Sequence, residues 1–144
     1  MKKWVIIGII SVVILVIGGC TLLISSISEN SNTIDEYNKN VDVVRADLVE
    51  IGNIATKVET LGEQMSKGIN IPVSDLKDAS DQLTQKCDSS KPDFDRYKLF
   101  VDNNKQALES AGVNTFDGIK AIDDIIVTCQ IQTKVINDAI KTIF

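Results

Sequence analysis

The sequence predicts an all-α protein: an N-terminal membrane anchor or lipoprotein signal, followed by an antiparallel bundle of about four helices. Three observations predict it. Apolar residues recur at alternating spacings of three and four over most of the chain after residue 34, the signature of amphipathic helices. Gly and Pro are few, and outside the leader the glycines fall at expected helix ends or singly. No stretch alternates apolar and polar residues over a useful strand length, and aromatic content is 5%.

The chain begins with a short basic stretch, Met1-Lys2-Lys3, followed by the fourteen uncharged residues "WVIIGIISVVILVI" and then Gly18, Gly19 and Cys20. A basic start, an apolar middle and small residues before a cut make a signal-peptide layout. Ile17-Gly18-Gly19-Cys20 resembles the lipobox of bacterial and archaeal lipoproteins. That resemblance implies cleavage before Cys20 and lipidation of its sulfur. The other reading is an uncleaved helix. Apolar character continues through Leu22, Leu23 and Ile24, giving about 21 residues, enough to cross a hydrocarbon core of about 30 Å. Both readings give one topology, because Lys2 and Lys3 favour the inner side and Glu29, Asp35 and Glu36 follow the segment. We expect residues 1–24 as the anchor, 25–33 as a short polar spacer, and 34–144 as an extracytoplasmic bundle at the cell membrane.

Each helix has its own signature. The first carries Ile34, Tyr37, Val41, Val44, Leu48, Ile51, Ala55 and Val58, with Leu61 and Met65 extending the face, and ends at Gly68 to Pro72. The second is expected to start at Ser74 as N-cap, with Asp75 and Asp78 near the positive end of its dipole. Its stripe is Leu76, Ala79, Leu83 and Cys87, and "DSSKP" is expected to end it. A third starts near Pro92, with Phe94, Tyr97, Val101, Leu108 and Ala111 inward and Gly112 as the residue after its C-cap. Asn104 interrupts that stripe: a polar residue there either fixes helix register or faces solvent if the helix rotates. The fourth opens at Asn114 or Thr115, with Asp117 close behind. Its inner stripe runs Ile119, Ile122, Ile126, Cys129, Thr133, Ile136, Ile140 and Ile143.

Charge and chemistry narrow the function. The whole chain has net charge −5; without Lys2 and Lys3, thirteen Lys and Arg face twenty Asp and Glu, a net −7. An acidic domain repels phosphate backbones, so no nucleic-acid partner is expected. There is no histidine, which removes the commonest general base and metal ligand. Nor is there a Gly-rich phosphate loop or zinc spacing. Asp88, Asp93 and Asp95 are read as a solvated acidic turn rather than a metal site, and Asp123 and Asp124 as an exposed helix face, since neighbours on a helix diverge by about 100°.

If Cys20 carries lipid, Cys87 and Cys129 remain, each on the apolar stripe of its helix. We expect them to form a disulfide closing a loop of about forty residues, worth about 3–4 kcal/mol in the chain-entropy model. Residues 40–61, "NVDVVRADLVEIGNIATKVETL", resemble a stretch of the LemA family of membrane-anchored helical bundles. Arg45, Asp47 and Leu48 occupy that family's Arg-x-Asp-Leu, while Glu50 and Ile51 replace its usual Pro-Asn. The resemblance implies an anchored bundle and adds no activity. The function expected is a non-enzymatic, membrane-tethered interaction module that binds a protein partner or another copy of itself, with no cofactor and no metal. The alternative is a bundle lipoprotein that holds a small molecule between its helices.

Overall fold

The computed structural model describes residues 31–143; the leader 1–24, its Cys20 and most of the spacer lie outside the described residues. Four helices follow one another: α1 (Asn32–Ser66), α2 (Val73–Asn103), the short α3 (Lys105–Ser110) and α4 (Thr115–Ile143). There is no strand among the described residues.

Ser31 caps α1, its Oγ accepting the Ile34 amide at 3.2 Å. The expected stripe is the buried one, from Ile34 and Tyr37 through Val58. α1 ends in a Schellman turn: Gly68, with φ +81°, donates to Met65 O, and Ile69 to Gln64 O. Gly112, with φ +84°, repeats this after α3, where Val113 donates to Leu108 O. Asn114 caps α4 reciprocally. Its Oδ1 accepts the Asp117 amide, and its Nδ2 donates to the Asp117 carboxylate.

Two expected boundaries are corrected. The second helix begins at Val73, after Pro72 and without a side-chain cap; the Ser74 hydroxyl bonds to the Asp75 carboxylate instead. More consequentially, "DSSKP" does not end a helix. α2 runs unbroken for 31 residues with Pro92 inside it. The reason is register. Leu83, Cys87, Ser90, Phe94, Tyr97 and Val101 keep the three-four spacing across the proline, with buried Ser90 as the link between two stripes that read as separate. A proline in a helix interior costs about 3 kcal/mol. Burying Phe94, Tyr97 and Val101 beyond it returns about 1.5–3 kcal/mol each, and the exposed Pro92 ring leaves that face intact. The packing wins.

The chain breaks instead at Asn104, with φ −115° and ψ 15°. Its Nδ2 donates to Phe100 O at 2.9 Å, so Asn104 acts as a helix terminator rather than a register pin inside a stripe. The re-aimed α3 puts Leu108 in the core.

The inner face of α4 is also rotated from expectation. Ala121, Ile122, Ile125, Cys129, Gln132 and Ile136 are buried, whereas Ile119, Ile126 and Thr133 sit at its margin. Several isoleucines let two overlapping stripes satisfy the same spacing. Packing selects the one that includes Gly118, where an added Cβ would lie 2.6 Å from the Tyr97 hydroxyl.

α2 holds the other two long helices. Tyr37 and Tyr97 pack ring to ring at 6.1 Å, and farther along Asp47 meets Lys86. Between α2 and α4, Tyr97 lies on Gly118, Lys98 pairs with Asp123, Cys87 meets Cys129 and Thr84 meets Thr133. Across each interface, partner numbers fall along one helix as they rise along the other, to within about one helical turn. Among the described residues no Cα of α1 comes within 8 Å of one in α4. α2 is therefore the shared spine.

Replacing Pro92 with Ala restores an amide to the α2 ladder while leaving the stripe untouched. The variant is expected to be more stable by about 1–3 kcal/mol, read as a higher midpoint in urea unfolding; a lower midpoint would show that α2 needs the proline's constraint.

Candidate functional site

Two clusters of chemistry-bearing side chains lie on α2, on the turns around residues 82–91. The first is the cysteine pair. Cys87 and Cys129 form a disulfide with their Cα atoms 6.0 Å apart, closing 42 residues of chain. Cys129 is buried and Cys87 half-buried, so each reaches the other from the stripe of its own helix. The bond floors a shallow cleft of about 280 Å³ between α2 and α4, edged by Asp88, Lys91, Phe94, Ile126 and the Thr84–Thr133 pair. Phe94 and Ile126 give it apolar walls, and Lys91 and Asp88 put both signs of charge at its rim.

The second cluster joins α1 to α2. Asp47 is only 8% exposed, and Lys86 Nζ reaches its Oδ1 at 2.8 Å and Glu50 Oε2 at 2.6 Å. The hydrogen bonds to Asp47 and then to Glu50 raise the Lys86 ammonium above its ordinary value of 10.5, against the opposing effect of burial. Asp47 lies beside, not on, the Leu48 stripe, so periodicity alone does not mark it as buried. The signal available in the sequence is weaker: Asp47 and Glu50 sit three apart on one helix face, able to share one cation.

The remaining sequence candidates separate. Asp88, Asp93 and Asp95 lie on the surface of a helix and not in a turn; Asp93 pairs with Arg96 at 2.9 Å. That corrects the expected acidic turn, for the same reason that α2 continues. Asp123 and Asp124 diverge, one to Lys98 and the other to Lys120. Arg45 lies 3.5 Å from Asp42 on the exposed face, while Leu48 is fully buried. No group of three or more metal-ligating side chains occurs among the described residues. No described helix is long and apolar enough to cross a membrane.

No family model, curated protein or solved structure matches this chain. The functional reading therefore stands on the residues themselves.

One buried polar group lies on the inner stripe that the spacing predicts. Tyr97 is enclosed by Tyr37 and Gly118, and burial, then the hydrogen bond with Tyr37, pushes its phenol well above the usual tyrosine range. This is a packing hydroxyl rather than a reactive one. It ties α1, α2 and α4 together at one level of the bundle.

Two outcomes test these clusters. Replacing Cys87 and Cys129 together with Ala is expected to lower stability by about 4 kcal/mol in the chain-entropy model, and the wild-type chain should migrate faster on a non-reducing gel than on a reducing one. Equal migration with two titratable thiols would refute the bridge.

Lys86→Met leaves Asp47 buried without its cation and should cost about 2 kcal/mol. The pH dependence has a fixed sign. Because the folded state raises the Lys86 pKa, its contribution is intact below pH 10.5. It is lost as pH rises above that value, when the unfolded chain releases the proton first. The stability gap between wild type and Lys86→Met should therefore close only in alkali; a gap that closes in the neutral range would refute the assignment.

Proposed function

We propose that this chain is a membrane-tethered interaction module, held by its N-terminal segment on the extracytoplasmic side of the cell membrane and carrying an antiparallel helical bundle. Tethering is supported by the order Lys2-Lys3, apolar run, Gly18-Gly19-Cys20. The mass of the mature N-terminus distinguishes a lipidated Cys20 from an intact spanning helix. The antiparallel reading is supported by the opposed order of partners along α1–α2 and α2–α4.

The observation that carries the interaction reading is the outer face of α4. Val127 and Ile131 are 52% and 54% exposed, one turn apart, on the face opposite the buried seam. Four residues of separation stacks them into a ridge, a form that an apolar groove on a partner, or the same ridge on a second copy, accepts. Single exposed apolar residues are ordinary on any surface; an ordered pair on the most apolar helix of the bundle is a better docking feature. Catalysis has weaker support, because the chain has no histidine and the most buried carboxylate, Asp47, is held in an ion pair with Lys86. The small-molecule alternative would use the disulfide cleft, but that space is about 280 Å³, just under the usual range for ligand pockets.

A photo-crosslinking residue at Val127 or Ile131 in the full chain, expressed in its own membranes, is expected to give one adduct of discrete mass. Val127→Glu with Ile131→Glu should abolish it without changing the unfolding midpoint. No adduct from either position, with a purified full chain that stays monomeric at every concentration, would overturn the reading.

A further inference from the structure

We infer that the end of the bundle nearest the N-terminal segment rests on the bilayer surface, with Phe116 and Leu99 set among the lipid headgroups. This rests on the tether reading above and adds an orientation and a lipid contact to it.

The apolar run ends at Ile24, and Ser31 already caps α1, leaving the six residues "SSISEN" between them. Six extended residues reach at most about 20 Å. The start of α1 is thus confined close to the membrane that holds the run. Contacts across the bundle show what else is at that end. Tyr37, in the second turn of α1, packs on Tyr97, and Tyr97 lies on Gly118. Leu99 is two residues beyond Tyr97 toward the end of α2, and Phe116 is two residues before Gly118 toward the start of α4. Both therefore stand at the height of the first turn of α1.

They are also the most exposed large apolar side chains described, Phe116 at 73% and Leu99 at 62%. An exposed aromatic and a leucine at a membrane-facing tip are the residue types that enter the interfacial zone. A second copy covering the same tip is the competing occupant, and the experiment separates it.

The test uses the full chain with Trp4→Phe, reconstituted in phosphatidylcholine–phosphatidylglycerol vesicles with or without brominated acyl chains. One variant carries Phe116→Trp. The other carries Ile69→Trp, in the turn at the far end of α1, where Ile69 is exposed. The expected result is blue-shifted emission from position 116, quenched by the brominated lipid, and several-fold weaker quenching by aqueous iodide than at position 69. Equal iodide quenching at the two positions, in protein that floats with the vesicles, overturns the lipid contact and leaves the tether standing. A blue shift that follows protein-to-lipid ratio without bromolipid quenching assigns the tip to a second copy and also overturns it. Protein that does not float removes the tether reading and this inference with it.

Discussion

The continuity of α2 through Pro92 is the constraint on which the rest of this structure depends. Among the described residues α1 and α4 make no close backbone approach to each other, so, apart from the short α3 that touches both, each is positioned through what it shares with α2. If α2 ended at "DSSKP", Phe94, Tyr97 and Val101 would sit on a separate helix, free to turn relative to Leu76 through Leu83. The one stripe that serves both neighbours would be lost. Ser90 makes the continuity possible. A small side chain at that heptad position keeps the seam closed on either side of the proline without demanding volume.

The polar chemistry is placed along that spine at separate heights. Near one end, the Tyr97 hydroxyl fits against Gly118 because glycine leaves the space. In the middle, Lys86 draws the almost buried Asp47 and the exposed Glu50 to one ammonium, while the adjacent Cys87 turns toward α4 and Cys129. Residues 86 and 87 thus point to opposite neighbours, as successive helical residues about 100° apart must. An ion pair fixes α1 and a covalent bond fixes α4 within one turn of α2. The ion pair specifies register more than it stabilises, since burying both charges costs much of what their attraction returns.

What remains for function lies outside the core. The inner stripes are consumed by packing, and most described acidic groups near a cation are engaged by a neighbour on the same helix or across a seam. Two outward features stand apart from that pattern. They are the Val127–Ile131 ridge along α4 and the Phe116–Leu99 tip beside the start of α1. One faces sideways and the other faces the end where the chain leaves toward its apolar segment. In the proposal made above, the end meets the surface that holds the chain and the flank meets a partner.

The sequence by itself determined the helical class, the α1 stripe and the Gly68 and Gly112 turns. Each of these follows from local chemistry or from a period that one helix imposes on its own residues. Tertiary structure decided the rest. It carried α2 through Pro92, because the benefit of a continuous buried face appears only when α1 and α4 are present to bury it. It chose among the isoleucines of α4, because 119, 122, 125 and 126 satisfy the same spacing and only the packing against α2, with Tyr97 beside Gly118, separates them. It buried Asp47, whose partner Lys86 lies 39 positions away and cannot be matched to it by any period within α1. It also turned three neighbouring carboxylates from a turn into the surface of a helix.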